Sequence, residues 1–132
     1  MAAPKEAWPS KSVKEEKPWG YTWHWHTNSI VHGKQITIHE GHRTSLKYHK
    51  VKNEVFFVLR GRVKVTYGCS RTLENEEKYP YSTKILVPGD VLNVQSECPY
   101  RIEALEESVI IEIGDRNDNC PVRLEDDYGR AE

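Results

Sequence analysis

No apolar run in this 132-residue chain approaches the ~20 residues that cross a bilayer as a helix, so a membrane-spanning helix is not expected. Neither sign of charge prevails: 19 Lys plus Arg face 20 Asp plus Glu, a formal net charge of -1. A general nucleic-acid binder needs a basic excess to displace counterions, so nucleic acid is not an expected partner. CxxC spacing is absent, and the cysteines are odd in number: Cys69, Cys98 and Cys120. No apolar stretch follows the N-terminal lysines as it would in a secretory signal. The three cysteines are therefore expected to be reduced thiols of a cytoplasmic protein, neither a disulfide frame nor a zinc site. Also missing are apolar residues at helical spacing over three turns.

What is there suits one modest core. At 37% hydrophobic and 30% charged, a chain of this length supports a single domain that buries about two thirds of its unfolded surface. Residues 1–17 mix Ala, Pro, Ser, Lys and Glu and read as a mobile arm, with Trp8 poised to dock on a neighbouring subunit. The folded domain is expected over 18–132. Ile36-Thr37-Ile38 and Val63-Lys64-Val65-Thr66-Tyr67 alternate as strands with one wet face. Val55–Leu59, Ile85–Val87 and Val109–Ile111 are continuous apolar runs, expected to be strands covered on both sides. Turn signals at Glu40-Gly41, Arg60-Gly61-Arg62 and Pro88-Gly89-Asp90 separate them, and Gly68 to Lys84 reads as a loop or long hairpin tip. The expectation is an all-β, antiparallel barrel or sandwich.

The chemistry concentrates between Gly41 and Gly61. With Leu46 to His49 as a strand, Lys47 and His49 share a face, and Glu54 can return its carboxylate to that face after a bend at Lys52-Asn53. Imidazole and carboxylate suit a borderline divalent metal, and strands converge inside a small barrel. One His five residues before one Glu describes a solvated turn equally well. Downstream, Val87-Pro88-Gly89-Asp90 leads to Pro99-Tyr100-Arg101-Ile102-Glu103-Ala104. The stretch from Gly41 through His49 and Glu54 to Gly61 resembles the first cupin motif, and Pro88 to Ala104 resembles the second. More narrowly, Lys17-Pro18-Trp19-Gly20-Tyr21, Ser45-Leu46-Lys47-Tyr48-His49 and Val122-Arg123-Leu124-Glu125-Asp126-Asp127-Tyr128-Gly129-Arg130 resemble the type II mannose-6-phosphate isomerase domain. That domain also forms the C-terminal part of bifunctional mannose-1-phosphate guanylyltransferases. The resemblance covers Pro18 to Arg130.

The resemblance implies a cupin double-stranded β-helix (a jelly-roll barrel) in a single domain, and a homodimer formed through the outer sheet or exchanged N-terminal strands. It places four inherited metal-ligand positions at Lys47, His49, Glu54 and Tyr100. Only His49 and Glu54 keep standard donors, because a protonated ammonium has no lone pair and a phenol more often donates a hydrogen bond. A Lys47–Glu54 ion pair could stand in the cation's place. The expectation is at most a weakly held zinc, manganese or iron on His49 and Glu54, and no organic cofactor. Trp23-His24-Trp25-His26 contains an H-x-H, but no glutamate follows at the motif's distance. Its tryptophans are expected in the core or an interface and its histidines at the surface, with a metal site there, or at His39 and His42, a minor alternative.

Three functions stay open. The first is a sugar-phosphate isomerase, with His49 as base, Glu54 orienting it or sharing that role, and Lys47 and Tyr100 stabilising an enediolate oxygen. Arg43, Lys52, Arg101 and Arg130 would meet the phosphate. The second is a metal-free sugar or nucleotide-sugar epimerase or ketoisomerase. The third is a non-catalytic cupin that binds a carbohydrate or another small ligand.

Overall fold

The computed structural model describes residues 3–116 and 120–130. The described residues are all-β, two antiparallel sheets with a single 3-10 turn at Ser70–Leu73. The six-stranded sheet runs, edge to edge, β1 (Val13–Lys17), β2 (Gly20–His24), β3 (Val31–Ile38), β10 (Ser108–Asp115), β5 (Glu54–Arg60), β8 (Val91–Val94). The five-stranded sheet runs β11 (Val122–Glu125), β4 (Leu46–Tyr48), β9 (Tyr100–Ala104), β6 (Val63–Tyr67), β7 (Ser82–Leu86). No helix among the described residues is long and apolar enough to cross a membrane.

Alternation dictates what lies between the sheets. Ile36 and Ile38, Phe56 and Val58, Val63 and Val65, and Ile102 and Ala104 fill the core at every second position of their strands. The stretch from Gly68 to Lys84 is a long hairpin tip joining β6 to β7, as the sequence suggested, with β7 starting two residues before its end.

Three expectations need correction. Two of the three continuous apolar runs are not covered on both sides: Phe57, Leu59, Ile85 and Val87 all face outward and are exposed, while Val109–Ile111 is buried or half-buried. β-Branched and aromatic side chains suit a pleated surface whether or not anything covers it, so their number does not report burial. The segment read as an arm contains a strand, because Val13–Lys17 pairs with β2 along its whole length. In the Trp-His pattern the tryptophans are not in the core and His24 is not at the surface, while His26 is exposed as expected. Gly20, Thr22 and His24 lie opposite Ile38, Ile36 and Lys34 of β3, so this register turns His24 inward and Trp23 outward. Trp25 then lies against Gly33, where a Cβ would come within 2.3 Å of its ring.

Candidate functional site

Inward alternation carried past the core produces the site. On β3 the parity of Ile36 and Ile38 continues to Lys34 and His32, and on β10 that of Ile110 continues to Glu112. On β5 the parity of Phe56 and Val58 reaches Glu54 at the strand's first residue. Lys47 of β4 is the register partner of Tyr100 on β9 and of Arg123 on β11. Of these, Lys34, Lys47, Glu54, Tyr100, Glu112 and Arg123 line a cavity of about 540 Å³ at one end of the barrel.

At its centre lies a buried carboxylate cluster. Glu54 Oε1 accepts a hydrogen bond from the Tyr100 hydroxyl at 3.1 Å and lies 3.3 Å from His49 Nε2. Its other oxygen is 3.1 Å from Lys52 Nζ, which also sits 3.5 Å from Glu112 Oε2. That Glu112 oxygen is further held by His32 Nε2 at 2.7 Å and Lys34 Nζ at 3.8 Å. Asn53 fixes the bend that delivers Lys52 and Glu54: its backbone and side-chain N–H groups reach the Asp115 carboxylate, and its Oδ1 accepts from Ser96 N. Gly114 leaves room for the bend, since a Cβ there would come within 2.6 Å of Asn53 O.

The two carboxylates are pushed apart in acidity. Burial and the neighbouring Glu112 charge raise Glu54 above its ordinary value. Burial works against ionised Glu112 too, but Lys34, His32 and Lys52 overcome it and hold that carboxyl well below the usual range. Burial and the ammonium groups of Lys52 and Lys47 push His49 down to about 4. Burial and the nearby Lys34 charge lower Lys47 to about 8, and burial beside Glu54 raises the Tyr100 phenol. The imidazole is therefore neutral at pH 7.

Of the residues singled out from the sequence, Lys47, His49, Lys52, Glu54, Tyr100 and Arg130 line this cavity. Lys52, expected on a ligand's phosphate, is instead buried between two carboxylates and is the ion-pair partner of Glu54 in place of Lys47. Arg43 and Arg101 do not line the cavity. Arg43 forms a two-pronged pair with Asp127, and Arg101 donates to Thr44 O at 2.9 Å and to Glu125. Arg101 follows an inward Tyr100 on its strand, so alternation turns it to the other face. Arg130 reaches the cavity while locked to Asp126. His39 and His42 lie beside one another at the exposed barrel end, His39 against Glu107. His24 lines the cavity wall, 2.7 Å from Glu15 of β1. Sequence reasoning missed His32, Lys34, Glu112 and Arg123, the first three of which follow from extending the strand parity past the last apolar residue.

The donor set does not fit a divalent metal. Among the described residues no three His, Cys, Asp or Glu side chains converge as a metal site requires. Glu54 is instead matched by the Lys52 ammonium on one oxygen and accepts from the Tyr100 hydroxyl on the other.

No protein-family profile and no curated protein matches the chain. Among solved structures it is similar to the oxalate decarboxylase of Bacillus subtilis, with a TM-score of 0.72 and 19% identity over 86% of this chain and 30% of that one. The oxalate decarboxylase of Lactobacillus farciminis gives 0.71 and 17% over 86% and 34%. The chain thus spans about a third of the length of these decarboxylases. KdgF from Halomonas sp. gives a TM-score of 0.67 and 16% identity over 83% of this chain and 96% of that one. At such identities the likeness speaks for architecture, and the architecture it assigns is the cupin fold.

Proposed function

We propose that the chain takes a small phosphorylated sugar into the barrel cavity and isomerises it by side-chain acid–base chemistry, in the manner of a mannose-6-phosphate isomerase. The observation that carries this reading is a buried carboxyl of weakened acidity, Glu54, hydrogen-bonded to a phenol inside a cation-rich cavity of a chain whose net charge is -1. Lys17, Lys34, Lys47, Lys52, Arg123 and Arg130 face the cavity against Glu15, Glu54 and Glu112.

Aldose–ketose isomerisation moves a proton between adjacent carbons through an enediol. Two carboxyls whose environments separate their acidities supply a proton carrier and a fixed counter-charge. Glu54 is the carrier, taking a proton from one carbon and returning it to the next, and Glu112 stays ionised to hold the ammonium groups in place. The Tyr100 hydroxyl stabilises the enediolate oxygen. His49, neutral at pH 7, positions Glu54. This moves the base from His49, as read in the sequence, to its carboxyl neighbour. Mn(II) centers are described for the Bacillus subtilis oxalate decarboxylase; among the described residues of this chain no three His, Cys, Asp or Glu side chains come together to hold a metal.

One observation favours the non-catalytic reading instead. Both Glu54 oxygens are already engaged, by Tyr100 and His49 on one side and Lys52 on the other. Turnover separates the two. The purified chain, stripped with EDTA, is assayed against a panel of hexose phosphates. Isomerisation that falls roughly 10²–10⁴-fold in Glu54→Gln, with the melting temperature little changed, supports the enzyme. Binding of hexose phosphate without turnover supports the binding module. Turnover that appears only with added divalent cation overturns the metal-independent chemistry.

A further inference from the structure

The cavity's cations fall into two groups. Lys52 and Lys34 are matched by Glu54 and Glu112, Lys17 by Glu15, and Arg130 by Asp126. Lys47 and Arg123 have no ion pair among the described residues. They are register partners on adjacent strands, and Lys47 is in turn the partner of Tyr100, so Arg123, Lys47 and Tyr100 form a row across β11, β4 and β9. Strands lie about 4.8 Å apart, so the row places two unmatched cations side by side and next to the phenol. The Arg123 Nε is buried with no hydrogen-bond partner, and so is the Ser45 hydroxyl on the same cavity wall. Buried polar groups almost always have partners, and two orphans facing one cavity mark the place of a missing acceptor.

We propose that Arg123 and Lys47, with the Ser45 hydroxyl, form an oxyanion subsite that takes the phosphate of the ligand. The inference rests on the phosphorylated-sugar reading for the identity of the ligand, while the subsite itself rests on the unmatched cations and orphaned donors. A guanidinium offers phosphate two parallel N–H donors, the ammonium adds a compact charge and the hydroxyl a third direction. The phosphate end of the ligand then lies along β11 and β4, and its reacting carbons lie toward Tyr100 and Glu54. The Arg43 and Arg101 guanidinium groups take no part.

The test is calorimetric titration of wild type, Arg123→Gln, Arg123→Lys and Arg43→Gln with inorganic phosphate, mannose 6-phosphate, glucuronate and mannose. Circular dichroism establishes that each variant is folded. The subsite predicts that Arg123→Gln weakens phosphate and mannose 6-phosphate at least tenfold, that Arg123→Lys keeps part of the affinity, and that Arg43→Gln changes nothing. Mannose affinity stays within twofold in all variants. Glucuronate bound more tightly than mannose 6-phosphate, and equally dependent on Arg123, overturns phosphate in favour of carboxylate. Phosphate affinity unaffected by Arg123→Gln, or no phosphate binding by wild type, overturns the subsite even if hexose phosphates are turned over. Conversely, Arg123-dependent phosphate binding with no turnover of any hexose phosphate keeps the subsite and sinks the isomerase.

Discussion

The same strands line both ends of the barrel interior, yet the two ends obey different rules. Toward one end Ile38, Val58, Val63 and Ile110 pack with almost no solvent contact. Two residues beyond Ile110 on β10 and four beyond Ile38 on β3, opposite one another in register, Glu112 and Lys34 replace them, and the interior becomes a charged network around a cavity. The apolar end gains from any well-shaped hydrocarbon, and its energy is spread over many small contacts. The polar end depends on a few complete partnerships, because a buried charge that loses its partner is costly. One end holds the barrel together, and the other is free to be specialised provided Glu54 and Glu112 keep the ammonium groups that match them.

That contrast can be broken first at Lys52, whose ammonium separates Glu54 from Glu112. Lys52→Met leaves two buried carboxyls facing each other and is expected to cost about 3 kcal/mol in urea unfolding at pH 7. A loss under 1 kcal/mol would mean that the polar end relaxes as easily as the core.

The next effect is a pH dependence confined to the polar end. The His49 imidazole takes a proton near 6.5 when unfolded and near 4 when folded. Between those values the unfolded chain binds more protons, so stability falls as the pH falls, by up to about 3 kcal/mol. Glu112, whose folded acidity is also displaced downward, works in the same direction at lower pH. Glu54, displaced upward, works against both, favouring the folded chain as the pH drops through its folded value. His49→Asn is expected to flatten the slope between pH 6.5 and 4, and an unchanged slope would assign it to other groups.

The smallest effect belongs to the apolar end. Ile110→Val removes one methylene and is expected to cost about 0.5–1.5 kcal/mol, with ligand affinity within twofold of wild type. A larger change in affinity would mean that the two ends are not mechanically separate.

The legibility of the molecule follows the same division. Apolar alternation in Ile36-Thr37-Ile38 and the turn glycines carry the all-β fold, because burial and turn geometry are local in sequence. His49, Glu54 and Tyr100 were also legible, since motif spacing places them together. Lys52 and Arg101 were misread because an isolated cation looks alike whether it meets solvent, a ligand or a buried carboxylate. The deciding partner of Lys52, Glu112, lies 60 residues away. Glu112 was hidden inside an apolar run whose alternation, once indexed from Ile110, points it inward. Arg123 gave no local signal, and only the β11–β4 register brings it to Lys47.

The first strand carries a practical consequence. Glu15 and Lys17 of β1 are part of the cavity wall, and Glu15 meets His24 across the β1–β2 pair. Trimming the chain to Pro18, where the conspicuous motifs begin, would therefore remove one side of the binding chamber and leave β2 as a raw sheet margin carrying an outward Trp23. The polypeptide so shortened would retain its hydrophobic filling while opening its ligand chamber to bulk water.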